Sequence, residues 1–231
     1  MGRVLAIGDI HGCSRAFDRL LESVAPGADD QLIALGDYVD RGPDSAGVLE
    51  RLIRLYQAGE LIALRGNHEI MLLDAYDGGR WTPTWRSCGG EETLMSYGEE
   101  PGEPAPIEHI PKDHLKFLED DLLPFYETET HIFVHAFAEP GLPMEEQTEA
   151  SLYWRKYIDP QPHQSGKTWV CGHSAQRNGL PAVRNGSICI DTYSYGEGGW
   201  LTCLDALSGQ CWQANEAGDT RQFVLGDGPP D

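Results

Sequence analysis

Two carboxylates and a guanidinium follow one apolar segment of the chain in close succession. Asp37, Asp40 and Arg41 come just after residues 32–35, in a loop that begins at Gly36. The apolar segment has the length and composition of a buried strand. Charged groups at a strand end contribute little to core packing, whereas open α/β sheets bind their ligands outside the carboxyl ends of the strands. This loop is therefore a candidate site for a metal ion and a phosphate group.

Four other predicted strands are followed by residues of the same kind. These potential metal ligands are Asp9 and His11, Asn67, His135, and His173. Carboxylate, imidazole and amide-oxygen ligands together favour manganese, iron or zinc over calcium. One carboxylate can bridge two ions about 3.5–4 Å apart, and Asp37 lies in the middle of the set. The sequence therefore predicts two divalent metal ions, with manganese as the first candidate and iron or zinc as alternatives.

Phosphate binding and proton transfer need groups that a metal does not supply. Arginine offers a planar pair of donors to phosphate oxygens, and Arg41 and Arg155 are the candidates. A leaving alkoxide also needs a proton, which His68 can supply if Asp40 orients it. Each of these residues alone could be an ordinary turn or core residue. Their repeated position after apolar strands favours a functional site.

The elements that must position these residues alternate between strand and helix. Strands are predicted at residues 3–8, 31–35 and 61–64. The helices that follow them are predicted to begin with Ser14 as N-cap, with Asp44 or Ser45 as N-cap, and at Ile70. Such units form a parallel sheet with right-handed crossovers, so the polar loops emerge at one edge. The predicted fold class is therefore α/β.

The remainder of the chain is less regular. Residues 76–110 lose periodicity and are predicted to form a small helical cap with a mobile acidic loop. A helix is predicted over residues 111–121, with Pro111 as its first residue. Further strands are predicted at residues 123–129, 131–135, 168–171, 187–190, 199–205 and 210–214. We expect a single domain over residues 1–225, followed by a frayed tail at 226–231.

Composition restricts the partners and the cellular location. The 17 basic and 37 acidic residues give a formal charge of −20, which disfavours nucleic acid and anionic membrane surfaces as partners. The sequence shows no apolar leader and no stretch long enough to span a membrane. The six cysteines form no C-x-x-C pair and are predicted to be reduced core thiols. These features predict a cytoplasmic protein, and they leave its oligomeric state open.

Three segments resemble the signature motifs of the calcineurin-like metallophosphoesterases. They are Gly8-Asp9-Ile10-His11-Gly12, Gly36-Asp37-Tyr38-Val39-Asp40-Arg41-Gly42 and Gly66-Asn67-His68-Glu69. Within that family the chain is most similar to the serine/threonine phosphoprotein phosphatases, in their compact bacterial and phage-lambda-like form. Weaker matching segments follow in the family's order, at His135, Tyr153-Trp154-Arg155, Cys171-Gly172-His173-Ser174 and Ile190-Asp191-Thr192.

The resemblance implies a four-layer α/β/β/α sandwich with a dinuclear metal site, in which residues 76–110 form a small insertion. It implies that one metal binds Asp9, His11 and Asp37. It implies that the other metal binds Asp37, Asn67, His135 and His173. It further implies that His68 and Asp40 form an acid pair and that Arg41 and Arg155 bind the phosphate.

Three functions are compatible with this resemblance. The first is a metal-dependent phosphomonoesterase, a protein serine/threonine phosphatase that uses a metal-bound hydroxide for in-line attack on a phosphorylated protein or another phosphoester. The second is a hydrolase of dinucleoside polyphosphates such as diadenosine tetraphosphate, whose relatives typically lack the acid at the position of Asp40. The third is a catalytically idle metal-binding scaffold, which would be expected to lack a ligand. The presence of Asp40 and of every ligand favours the phosphatase.

Overall fold

The computed structural model describes residues 2–100 and 102–228, and residues 229–231 of the predicted frayed tail lie outside the described residues. Strands in the described part form two sheets. They are β1 (Val4–Ile7), β2 (Gln31–Ala34), β3 (Ile62–Ala63), β4 (Phe125–Glu127), β5 (His131–Val134), β6 (Thr168–Cys171), β7 (Ala182–Arg184), β8 (Ser187–Cys189), β9 (Leu201–Asp205), β10 (Gln210–Ala214) and β11 (Thr220–Val224).

The helices are concentrated in the first half of the chain. They are α1 (Ser14–Val24), α2 (Ser45–Gln57), α3 (Asn67–Tyr76), α4 (Thr82–Trp85), α5 (Glu91–Ser96) and α6 (Lys112–Lys116). Single π-helical turns lie at Arg86–Gly90, Phe117–Asp121 and Ala150–Trp154, and 3₁₀ turns at Ile107–His109 and Met144–Glu146. None of the helices within these described ranges combines the length and hydropathy that a membrane span requires.

The two sheets bring the ends of their parallel strands together. The first sheet has the order β11-β10-β9-β1-β2-β3, and the second has the order β4-β5-β6-β8-β7. Strands β1, β2 and β3 are parallel, with Leu5 of β1 opposite Leu32 of β2. Strands β5, β6 and β8 are parallel in the second sheet. Each sheet therefore presents several carboxyl strand ends at one edge, where α/β sheets bind ligands.

Both faces of the central strands β1 and β2 of the first sheet are buried, which explains their continuous apolar sequences. On one face, Leu5 shares an apolar cluster with Phe17 of α1 and Leu52 of α2. On the other face, Ala6 shares a cluster with Phe133 of the second sheet. Successive residues of β1 thus contact the helical layer and the second sheet in turn.

The outer face of the second sheet is covered by short segments. Trp169 of β6 is fully buried and clusters with Leu152 of the π-helical turn at 150–154 and with Tyr157. The arrangement of helices, sheet, sheet and short helical turns confirms the predicted α/β sandwich. The second helical layer is thinner than the first because it consists of turns and not of long helices.

Residues 76–110 contribute to the helical layer on the first sheet. Trp85 of α4 is fully buried, Leu94 of α5 is nearly so, and both belong to the cluster that contains Leu52 of α2. The predicted helical content of this segment is therefore confirmed. Because Trp85 and Leu94 are buried in the main apolar cluster, this segment is part of the core as well as of the surface.

Two strands are absent from the sequence prediction, and both are edge strands. Strand β7 exposes Val183 by 59%. In β11 only Phe223 is buried. Because edge strands of this kind bury little on either face, neither produces a clear alternation of apolar and polar residues.

The observed helix starts correct three predictions. Ser14 is the first residue of α1 and not its N-cap, since Cys13 precedes it with non-helical backbone angles. Pro111 is the N-cap of α6, so that helix begins at Lys112. Helix α3 begins at Asn67, three residues before the predicted start, for a reason described with the site below. The predicted cap at Asp44 is confirmed, because its side chain accepts the Gly47 N–H at 2.9 Å.

All six cysteines are free within the described residues, as predicted. Five of them are buried, and Cys88 is partly exposed.

The contact between the two sheets should be a main source of stability. We expect Phe133→Ala to lower the free energy of unfolding by about 3–5 kcal/mol, because it removes a fully buried ring and leaves a cavity. Val183→Ala, on the exposed edge strand β7, should change it by less than about 0.5 kcal/mol. Urea denaturation of both variants tests this. Equal effects would contradict the position assigned to Phe133.

Candidate metal and phosphate site

The Asp37 carboxylate lies at the centre of the site, where the two sheets meet. Its Oδ1 is 3.3 Å from His135 Nε2, and its Oδ2 is 3.6 Å from His11 Nε2 and 3.9 Å from His68 Nε2. Two groups of potential ligands overlap at this residue, one with His11 and His68, the other with His135 and His173. The two carboxylate oxygens thus face different sets of imidazoles. A carboxylate that bridges two metal ions requires this arrangement.

Backbone carbonyls fix the orientation of three imidazoles. His11 Nδ1 is 2.9 Å from the Val39 carbonyl, and His135 Nδ1 is 2.9 Å from the Leu35 carbonyl. A ring nitrogen that faces a carbonyl carries the proton, so Nε2 of each ring is left free beside Asp37. In His173 it is Nε2 that faces a carbonyl, which leaves Nδ1 as the free atom. Each ring therefore presents an unprotonated nitrogen to the site.

The electrostatic environment keeps these imidazoles neutral. Burial lowers the pKa of His11 and of His135. Burial and the neighbouring His135 lower the pKa of His173 to about 3. Burial alone would raise the pKa of Asp37, but the four surrounding imidazoles outweigh it and lower that pKa. Neutral imidazoles around an ionised carboxylate are the protonation states in which these residues bind metals.

Asn67 adjoins the group with His135, whereas Asp9 lies against the His173 backbone and belongs to neither of the two groups found among the described residues. Asn67 Oδ1 is 3.1 Å from His135 Nε2. Both carboxylate oxygens of Asp9 accept the His173 N–H, at 3.1 and 2.9 Å. The pKa of Asp9 is raised well above its usual value by burial and by the carboxylates of Asp191 and Asp37. A divalent cation would relieve this concentration of buried acidic groups, so the donor set fits the predicted metal ions.

His68 and Asp40 form a buried pair beside Asp37. His68 Nδ1 is 2.5 Å from Asp40 Oδ2, and both side chains are buried. Burial by itself would lower the pKa of His68, but the carboxylates of Asp37 and Asp40 outweigh it and raise that pKa. A histidine held by one carboxylate, with its second nitrogen facing the site, is suited to proton donation.

The segment 76–110 holds Asp40 in place. Asp40 Oδ1 accepts the Trp85 Nε1–H at 2.9 Å and the Thr93 hydroxyl at 2.7 Å. These contacts are not predictable from the sequence, because no pattern in an irregular segment indicates which polar side chain it will reach. The second Asp40 oxygen is thereby left to His68.

Glu69 is a second supporting residue of the site, and no role was expected for it from the sequence. Its fully buried carboxylate accepts the backbone N–H groups of Asp37, Tyr38 and Gly66 at 2.8–2.9 Å. The bond to Gly66, the N-cap residue, is the glutamate half of a capping box, since glycine has no side chain to supply the other half, and helix α3 starts at Asn67. The spacing of Gly66 and Glu69 is the signal that could have predicted it. Glu69 joins the Asp37 loop to the Asn67 loop.

The two predicted phosphate-binding arginines have different surroundings. Arg41 places its guanidinium nitrogens 3.0 Å from His11 Nε2 and 3.0 Å from His68 Nε2, so it adjoins the cluster. Arg155 forms an ion pair with Glu139 and lies 4.0 Å from the centre of the Phe137 ring. Within residues 2–100 and 102–228 it makes no hydrogen bond or ion pair with the predicted ligands, and its phosphate-binding role stays a prediction.

Comparison with known proteins identifies the family. The family model of calcineurin-like phosphoesterases matches residues 2–177. The chain belongs to the calcineurin-like phosphoesterase family. The predicted family membership is therefore confirmed. Hydrolysis of phosphoesters with divalent metal ions is the chemistry of this family.

Curated relatives of this calcineurin-like phosphoesterase include enzymes with two different names. Serine/threonine-protein phosphatase 1 of Salmonella typhimurium is 43% identical over 89 residues, which cover 38% of this chain and 39% of that protein. The symmetrical bis(5'-nucleosyl)-tetraphosphatase of an Acidovorax species is 48% identical over 75 residues, which cover 32% of this chain and 26% of that protein. The matched segments thus span less than half of these relatives.

Solved structures share the fold. A structure described as a putative diadenosine tetraphosphatase has a TM-score of 0.65 at 24% identity and covers 98% of this chain and 95% of that chain. A protein serine/threonine phosphatase from Saccharomyces cerevisiae has a TM-score of 0.62 at 14% identity, with 100% and 82% covered. At these identities the likeness concerns the fold alone. It places a phosphatase and a tetraphosphatase on the same scaffold as this calcineurin-like phosphoesterase.

Removal of the central carboxylate should prevent metal binding. We expect Asp37→Asn to lose bound manganese and to reduce phosphoester turnover below detection, because one shared ligand serves both clusters. Metal content after dialysis, measured by elemental analysis, tests this directly. Asp18→Asn, in a partly exposed ion pair with Arg51, is the control and should retain metal. Full metal content in Asp37→Asn would contradict the bridging role.

The Glu69 carboxylate should matter for stability. Glu69→Gln places an amide NH₂ against backbone N–H donors, and we expect it to lower the free energy of unfolding by about 1–3 kcal/mol. Glu60→Gln, at an exposed position, should have no measurable effect. Thermal and urea unfolding of both variants provide the comparison. A Glu69→Gln variant as stable as the control would show that Glu69 does not join the loops.

Proposed function

We propose that the protein is a metal-dependent phosphomonoesterase that removes phosphate from phosphoserine or phosphothreonine in proteins. The observation that carries this proposal is the buried His68–Asp40 pair, which Trp85 and Thr93 hold beside Asp37. An alkoxide leaving group must be protonated as it departs, whereas a nucleotide phosphate can leave as an anion. A dedicated proton donor therefore favours an alkyl phosphate ester as the substrate.

We assign the metal sites as predicted, with Asp37 shared between them. His11 and Asp9 would serve one ion, and Asn67, His135 and His173 the other. Two divalent ions bound there would neutralise phosphoryl charge and activate water, with manganese as the expected metal in vitro. The position of His68 in the tight cluster with His11 and Asp37 makes it a neighbour of the first ion.

The chain's own residues would orient the phosphate and supply the proton. Arg41 would bind phosphate oxygens through its two terminal nitrogens. One of these nitrogens is 3.0 Å from His68 Nε2, so a phosphate bound by Arg41 would lie next to the nitrogen that carries the proton. Asp40 accepts the Nδ1–H of His68 and stabilises its protonated form. The proton would pass from Nε2 to the departing seryl or threonyl oxygen.

A dinucleoside polyphosphate hydrolase is the second candidate, and one further feature favours it. The indole rings of Trp81 and Trp154 are stacked, with centroids 5.1 Å apart, and Arg80 lies beside Trp81. The Trp154 carbonyl is 3.1 Å from His173 Nε2, so this pair adjoins the candidate metal ligands. A nucleobase could stack on such a surface. The similarity to tetraphosphatases supports the same candidate.

Direct comparison of substrates tests the proposal. We expect the manganese-loaded protein to show a higher kcat/KM on a phosphothreonine peptide than on diadenosine tetraphosphate. A preference for the dinucleotide would reject the proposed substrate and support the second candidate.

The expected cytoplasmic location, and the expected lack of nucleic-acid and membrane partners, stay predictions from composition.

The role of His68 can be tested through the leaving group. We expect His68→Asn to lower kcat on the phosphothreonine peptide by about 10²–10⁴-fold. Turnover of p-nitrophenyl phosphate should fall far less, because nitrophenolate leaves without a proton. Metal content should stay unchanged, and His109→Asn should match the wild type. Equal losses on both substrates, or a loss of metal, would contradict the proton-donor role.

A further inference from the structure

The loop that follows β8 lies beside Arg41 at the edge of the site. Ser194 is buried, and its hydroxyl donates to the Asp9 carbonyl at 2.8 Å and lies 3.2 Å from the Ile10 carbonyl. This anchors the loop to the one that carries Asp9 and His11. The next residue along the chain is Tyr195.

Tyr195 contacts both Arg41 and His11. Its hydroxyl oxygen accepts a hydrogen bond from an Arg41 terminal nitrogen at 2.7 Å. The Arg41 guanidinium carbon is 4.6 Å from the centre of the Tyr195 ring. The same ring meets the His11 ring edge-on, with centroids 4.9 Å apart. One side chain therefore touches the predicted phosphate-binding group and a predicted metal ligand.

Besides its 3.0 Å contacts with His11 and His68, Arg41 contacts two backbone carbonyls at longer distances. The Cys88 carbonyl is 3.4 Å from Arg41 Nε, and the Gly89 carbonyl accepts the Arg41 backbone N–H at 3.2 Å. Arginine loses much rotamer freedom when its planar fork is fixed in one orientation. A short hydrogen bond combined with a ring under the guanidinium lowers that loss at the moment of binding.

We infer that Tyr195 is a positioning residue that orients the Arg41 guanidinium for a phosphate group. This inference depends on one part of the proposed function, namely that the substrate carries a phosphate group. It applies to a phosphopeptide and to a polyphosphate alike. A purely structural role for the ring, through its edge contact with Tyr193 at 4.7 Å, would not need the hydroxyl.

The test removes only the hydroxyl. In the manganese-loaded protein we expect Tyr195→Phe to raise the KM for p-nitrophenyl phosphate and the inhibition constant of inorganic phosphate by about tenfold, the effect of losing a hydrogen bond to a charged group. Metal content and Tm should match the wild type. Tyr193→Phe, in the adjacent ring, is the matched control and should leave both constants unchanged.

A double-mutant cycle shows whether Tyr195 acts through Arg41. In an Arg41→Ala background we expect Tyr195→Phe to have no further effect on the inhibition constant of phosphate. The inference would be overturned by unchanged constants in Tyr195→Phe, by the same loss with and without Arg41, or by a fall in metal content or Tm. If the wild type fails to turn over p-nitrophenyl phosphate, the proposed function fails. Calorimetric binding of inorganic phosphate to the same variants then still decides the role of Tyr195.

Discussion

A single buried carboxylate, Asp37, is the constraint on which the rest of the site depends. Its two oxygens face different imidazoles, and these rings hold its pKa low although burial opposes ionisation. Its backbone N–H is fixed by Glu69, which also fixes the start of helix α3. A shift in this one group would therefore disturb both candidate metal positions and the loop that carries Asn67. The packing around it must be rigid for that reason.

The fold satisfies this constraint by packing two sheets face to face, so that the carboxyl ends of their parallel strands lie together at the site. The first sheet supplies the loops after β1, β2 and β3, and the second supplies those after β5 and β6. Several site residues have left-handed backbone conformations that non-glycine residues rarely adopt, namely His11, Asp37, Asp40, Arg41 and His173. Each such residue costs on the order of 1–3 kcal/mol. Packing of two buried sheets and a helical layer offsets this strain and holds the polar groups at fixed distances.

The parts of the site that follow strands are predictable from sequence, and the parts that support them are not. Asp9, Asp37 and Asn67 come directly after apolar strands, so their shared position follows from the geometry of parallel sheets. Trp85 and Tyr195 reach Asp40 and Arg41 from sequence positions 45 and 154 residues away. No local pattern indicates such contacts, because the folded arrangement of distant segments decides them.

The fold shows the same division between local and tertiary information. Strands buried on both faces are visible in the sequence as apolar runs, whereas the edge strands β7 and β11 are not. The Arg155 side chain illustrates the limit for single residues. The resemblance implies phosphate binding by Arg155, which stays a prediction, and in the folded chain its guanidinium pairs with the Glu139 carboxylate, a contact that no local pattern indicates. A long charged side chain adopts the partner that tertiary structure provides.

The stoichiometry and magnetic coupling of bound manganese test the central claim most directly. A carboxylate shared by two ions predicts two manganese ions per chain, with the electron paramagnetic resonance spectrum of an exchange-coupled pair. One ion per chain, or two ions with the spectra of isolated centres, would contradict a site in which Asp37 bridges two metals.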